Sequence, residues 1–115
     1  MSASEKIERA RRKHLIYSVI ISSSDGEFFT GRLVNISSSG LKMVTKGKLF
    51  LGATYHLEIS LPEETNGANN MSCTGKTVWC KRNISPENSS AGFEIIEIDE
   101  TNKAILSELT KDFNY

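Results

Sequence analysis

Thr54-Tyr55-His56-Leu57-Glu58-Ile59-Ser60-Leu61 is the stretch that decides the fold. Tyr55, Leu57, Ile59 and Leu61 share one face and His56, Glu58 and Ser60 the other, the period-two pattern of a half-buried strand. Toward the N-terminus, Leu15 to Ser22 is rich in β-branched and aromatic residues, Asp25-Gly26 is a turn signal, and Phe28 to Asn35 follows. That pair reads as a β-hairpin. Leu41 to Thr45 is a third strand with Leu41 and Met43 on one face, and Gly47 and Gly52 punctuate the connection to Thr54.

Toward the C-terminus, Pro62 to Asn70 reads as a polar, Asn-rich loop, Ser72 to Cys80 as a long strand, and Asn83 to Asn88 as a second polar loop. In a last strand, Ala91 to Ile98, Phe93 and Ile95 face one way and Ile96 and Ile98 the other. After Asp99 the period changes. Thr101 is the expected N-cap, and Ile105, Leu106, Leu109 and Phe113 fall at helical spacing. The expected fold is all-β: a small six-stranded antiparallel β-barrel with a C-terminal α-helix packed on it, an open two-sheet sandwich being the alternative. The expected division is a basic N-terminal arm over 1–14, a barrel over 15–98 and the helix over 99–115.

The 115 residues, 38% of them hydrophobic, suffice for one modest core. Fourteen cations balance fourteen carboxylates, so the chain as a whole exerts no long-range pull on nucleic acid or acidic membranes. Charge is segregated instead. Glu5 to His14 carries five cations against two anions, and Glu94 to the C-terminus six carboxylates against two lysines. Cys73 and Cys80, seven apart in one strand, are not expected to pair, and two free thiols suit a reducing cytoplasm. No C-x-x-C motif or His/Cys cluster argues for zinc. The apolar run after His14 is too short for a membrane span and lacks a leader-cleavage signal.

Two patches carry candidate chemistry. The run Arg9-Ala10-Arg11-Arg12-Lys13-His14 offers guanidinium forks, which pair with phosphate oxygens or the O6/N7 edge of guanine and stack on bases. The hexad Asn35-Ile36-Ser37-Ser38-Ser39-Gly40 turns the chain and presents an amide, hydroxyls and backbone N–H groups. Gly40 is expected there for its conformational freedom and for close approach of the backbone. Elsewhere the bland reading prevails. His56 is a surface residue, and Trp79, Phe28, Phe29 and Phe93 are core or rim packing. Cys80, beside Lys81 and Arg82, is a strand residue before it is a redox sensor. No nucleophile elbow, P-loop, dinucleotide fingerprint or paired-carboxylate spacing suggests an enzyme.

Arg12-Lys13-His14-Leu15, then Gly31-Arg32-Leu33-Val34-Asn35-Ile36-Ser37-Ser38-Ser39-Gly40-Leu41, then Ala91-Gly92-Phe93-Glu94-Ile95 and a terminal helix, resembles the PilZ domain family of bacterial cyclic di-GMP receptors. The family's [D/N]-x-S-x-x-G motif is complete as Asn35, Ser37 and Gly40. The resemblance implies a six-stranded barrel whose N-terminal arm folds over the surface to clamp the dinucleotide. Arg9, Arg11, Arg12 and Lys13 would meet phosphates and guanine edges, and Asn35, Ser37 and Gly40 would shape the guanine pocket. No cofactor, nucleic acid or membrane span is implied.

The family's R-x-x-x-R motif is incomplete. Counting from Arg12 the second position is Ile16, from Arg11 Leu15, and from Arg9 Lys13. Loss of one charged, partly buried ligand partner costs about 2–5 kcal/mol, roughly 30- to several-thousand-fold in affinity. Two expectations follow: a cytoplasmic, non-enzymatic cyclic di-GMP receptor that signals to a partner protein, or a divergent PilZ domain that does not bind the dinucleotide and acts as a protein-interaction adaptor in pilus, flagellar or chemosensory machinery. Single-stranded nucleic-acid binding is a weaker third, against which the zero net charge argues.

Overall fold

A computed structural model describes residues 17–65, 67–82 and 89–113; the expected arm over 1–14 lies outside them. Six strands, β1 (Ser18–Ser22), β2 (Phe28–Ile36), β3 (Gly40–Thr45), β4 (Thr54–Thr65), β5 (Ala68–Arg82) and β6 (Ser89–Glu97), precede helix α1 (Glu100–Phe113). The strands form a closed barrel in the order β1-β2-β3-β6-β5-β4, and each neighbouring pair is antiparallel. Closure supplies every strand with two partners and leaves no open edge, which rules out the two-sheet sandwich.

The alternation that defines β4 is realised: Tyr55, Leu57, Ile59 and Leu61 are buried and His56 is exposed. They meet Val19 and Ile21 from β1, Met43 from β3, Met71 and Cys73 from β5 and Phe93 from β6 in one core. The Phe93 ring stands edge-on to Tyr55, with centroids 6.1 Å apart. Gly26, at φ +94°, turns β1 into β2. Ser23 N–H donates to the Glu27 carbonyl across that turn at 2.8 Å.

Two local expectations are corrected. The segment Pro62 to Asn70 is not a loop: β4 runs on to Thr65 and β5 begins at Ala68, with Gly67 at φ +77° in the turn between them. Its polar composition marks solvent exposure, whereas a backbone ladder needs no apolar side chains to pair. At the helix, the cap is Asp99 rather than Thr101. Asp99 Oδ1 accepts from Asn102 N–H at 2.8 Å, and its carbonyl accepts from Lys103 N–H at 2.8 Å. Thr101 therefore lies inside the first turn.

Helix α1 buries Ile105, Leu106 and Leu109 against β2, β4 and β5; the Phe113 side chain lies outside the described residues. Asn102 fastens the helix start to the wall, its Oδ1 accepting from Ser72 N–H of β5 at 2.8 Å.

Candidate functional site

Strict alternation along β2 would put Asn35 on the same side as the buried Leu33, inside the barrel. It lies outside because β2 contains a bulge. Leu33 pairs with Met43 but Asn35 with Lys42, so two steps on β2 oppose one on β3 and Val34 is the extra residue. Val34 and Asn35 are thus both exposed, and Ile36 returns to the core. Strand β5 repeats the device. Thr77 pairs with Phe93 but Trp79 with Gly92, so Val78 is extra and Trp79 is moved from the inner to the outer face.

The two bulges serve one row. Asn35 pairs with Lys42, Lys42 with Gly92, and Gly92 with Trp79, so four strands contribute to a single strip across the outer wall. Lys42 Nζ lies 5.6 Å from the centroid of the Trp79 ring, a cation–π contact. Gly92 is buried beneath that indole, and a Cβ there would collide with its Nε1. The strip therefore presents an amide, an ammonium and an aromatic ring side by side.

The hexad turn closes one end of the strip. Ser37 N–H donates to the Gly40 carbonyl at 2.8 Å, and the Ser37 hydroxyl donates to the same oxygen at 3.3 Å. Ser39 N–H in turn donates to Ser37 Oγ at 3.4 Å, so the hydroxyl braces the turn from within. Asn35 Oδ1 accepts from Ile36 N–H at 2.8 Å. That bond leaves one lone pair and both amide N–H donors of Asn35 without a partner among the described residues. Asn35, Ser37, Gly40 and Lys42 line one shallow depression of about 200 Å³.

Of the two constraints expected at Gly40, the structure shows close approach and not unusual φ. Gly40 is not among the glycines with positive φ, which are Gly26, Gly52 and Gly67. Instead a Cβ at position 40 would collide with the Phe93 carbonyl oxygen, so glycine is required for β3 to approach β6. The neighbouring Ser39 carbonyl accepts from Ile95 N–H at 2.9 Å and ties the turn to β6.

Of the sequence-derived candidates, Asn35, Ser37 and Gly40 come together, while Arg9, Arg11, Arg12 and Lys13, like Ile16, lie outside the described residues. Lys42 was not singled out by sequence. Trp79 was assigned to packing, yet it is 39% exposed on the strip; of the others, Phe93 is core and Phe28 is 67% exposed. Val34-Asn35 and Val78-Trp79 carry no local mark of a bulge, so only strand pairing places these side chains. Partial burial pushes the Cys80 thiol above its ordinary range, against the activation that the adjoining Lys81 would give. Among the described residues no helix is long and apolar enough to cross a membrane.

A family model of the PilZ domain matches residues 7–112. The chain belongs to the PilZ domain family. Solved PilZ structures share its fold at low identity. The PilZ domain with c-di-GMP of YcgR from Escherichia coli aligns at TM-score 0.67 and 12% identity over 87% of this chain and 82% of that one. The inhibitor of motility MotI/DgrA of Bacillus subtilis aligns at TM-score 0.67 and 21% identity, covering 84% of this chain and 46% of that one. A crystal structure of YcgR in complex with c-di-GMP, also from Escherichia coli, aligns at 0.62 and 14%, covering 82% and 39%. This PilZ chain thus spans less than half of MotI and of that YcgR chain. No curated protein matches it significantly in sequence.

Proposed function

We propose that this PilZ domain is a non-enzymatic cyclic di-GMP receptor acting in the cytoplasm, and that it passes ligand binding on to a partner protein. The observation that carries the reading is the strip Asn35–Lys42–Gly92–Trp79 beside the braced Ser37–Gly40 turn. Each member matches one part of a guanine nucleotide. The free amide N–H donors of Asn35 complement the O6/N7 acceptors of guanine. Trp79 offers a ring for stacking, worth about 1–3 kcal/mol per base, and Lys42 a cation for phosphate. The buried Gly92 and the close-packed Gly40 keep that wall free of other side chains.

The arginines complete the reading. Leu33 N–H donates to the Tyr17 carbonyl at 2.9 Å, and Ser18 pairs with Arg32, so the chain enters β1 beside the Asn35 end of β2. Five residues reach at most roughly 18 Å, a span that would let Arg12 meet the strip. Arg12, with Arg9, Arg11 and Lys13, would hold phosphates and guanine edges. Docking of that cationic segment on the ligand would alter the surface seen by a partner.

Calorimetry with cyclic di-GMP is the direct test. Saturable binding on the order of micromolar, lost in Arg12→Ala and in Ser37→Ala while both variants stay folded, is the expected result. Absence of heat up to millimolar ligand would overturn it. One observation favours a second reading, that of an adaptor blind to the dinucleotide: Ile16 stands where the second arginine of R-x-x-x-R belongs. Under that reading Ile16→Arg creates binding that the wild-type chain lacks.

A further inference from the structure

A second pocket, of about 210 Å³, opens at the other end of β3 and shares no residue with the depression at the hexad. It is lined by Lys46, Lys48 and Lys81 together with Ser89 and the backbone of Gly47, and among the described residues no carboxylate lines it. Lys42 and Lys46 are four residues apart along the chain, a separation of about 13 Å in a strand. In a chain whose charges cancel overall, three cations converging without a carboxylate among the described residues make a positive spot. Among the described residues none of the three takes part in an ion pair.

The backbone of this pocket is held in place before any ligand arrives. Gly47 N–H donates to Thr45 Oγ1 at 3.0 Å, and a Cβ at position 47 would collide with the Phe29 ring, so the segment between Lys46 and Lys48 is packed down onto the barrel. Cys80 Sγ contacts the Leu49 carbonyl at 4.0 Å, and Phe50 N–H donates to the Tyr55 hydroxyl at 3.1 Å. Lys46 and Lys48 are thereby fixed on one wall. Lys81, paired through Ser90 to Val44, stands on the other. Such a site holds a compact anion with several negative oxygens, because lysines bind phosphate as point charges and a serine hydroxyl adds a directed donor.

We infer that the Lys46–Lys48–Lys81 pocket is an anion site for a di- or triphosphate chain, separate from the hexad face and independent of whether that face binds cyclic di-GMP. The test is an amide chemical-shift titration of the full chain with sodium tripolyphosphate in about 0.15 M NaCl, a salt level that screens diffuse surface attraction. Saturable shifts are expected at Gly47, Leu49, Ser89 and Ala91, with Asn35, Ser37 and Gly40 unmoved. The exposed lysines permit a Lys48→Glu/Lys81→Glu variant that keeps the fold, and its affinity should fall at least tenfold. Guanosine triphosphate in a parallel titration separates the two sources of such a chain: tighter binding than tripolyphosphate assigns the site to a nucleotide, and equal binding to the phosphate chain alone. Shifts that do not saturate, that persist in the double variant, or that move to Asn35–Gly40 overturn the inference. Loss of cyclic di-GMP binding in Ser37→Ala leaves this pocket untouched, so the two readings fail separately.

Discussion

The Trp79 indole covers Gly92, occupying the space that a side chain at position 92 would fill. Because Trp79 reaches the outer wall only through the Val78 bulge, and Gly92 pairs on its other side with Lys42, this contact joins β5, β6 and β3 into one surface. Trp79 is the only tryptophan, so its emission reports on that surface alone. Gly92→Ala should push the ring off the wall and away from Lys42, shifting emission to longer wavelength. The stability cost should be about 1 kcal/mol or less, since an exposed cation–π contact is worth roughly 0.5–1 kcal/mol. Unchanged emission would contradict the contact.

Deleting Val34 removes the bulge and restores strict alternation. Leu33 then stays inward, Asn35 outward and Ile36 inward, each still opposite its present partner on β3. Urea denaturation should therefore register a loss of at most about 1 kcal/mol, close to that of Val34→Ala, and a loss above about 3 kcal/mol would show that Val34 is not the extra residue.

Gly40→Ala tests why the hexad ends in glycine. The obstacle is the Phe93 carbonyl, a backbone atom that cannot swing aside, so β3 and β6 must separate locally at a cost of about 1–3 kcal/mol. Hydrogen exchange at Ile95 N–H, which donates to Ser39, should quicken. A variant as stable as the wild type, with Ile95 still protected, would show that the approach is not tight.

The helix cap has a signed pH dependence. Hydrogen bonds from the Asn102 backbone N–H and side chain hold the Asp99 carboxyl below its usual value of 3.8. A depressed folded value means that the capping carboxylate stabilises the fold above about pH 4 and that this contribution fades as pH falls through the lowered value. Asp99→Ala should therefore lower Tm at pH 7, with the gap to wild type closing toward pH 3. Asp99→Asn keeps a capping oxygen and should recover most of the Tm at pH 7 without that pH dependence.

How much of this was legible beforehand differs from element to element. The alternation of Tyr55, Leu57, Ile59 and Leu61, the Asp25-Gly26 turn and the helical spacing of Ile105, Leu106 and Leu109 were readable because each is set by neighbours within a few residues. The strands beyond Leu61 and before Met71 were not, because their polar side chains hide a paired backbone. The Asp99 cap was missed in favour of Thr101, since both residue types cap well and only the first helical hydrogen bonds choose between them.

By itself the sequence determined the all-β barrel with its closing helix, and the hexad motif with its PilZ membership, since these rest on period and on residue identity. The tertiary structure alone decided which side of the wall Asn35 and Trp79 occupy. A bulge is a mismatch between two strands distant in sequence, and one extra residue in either reverses every side chain beyond it. It alone also revealed that Gly40 and Gly92 serve close approach rather than unusual φ, and that Lys46, Lys48 and Lys81, up to 35 positions apart in the chain, meet around one pocket.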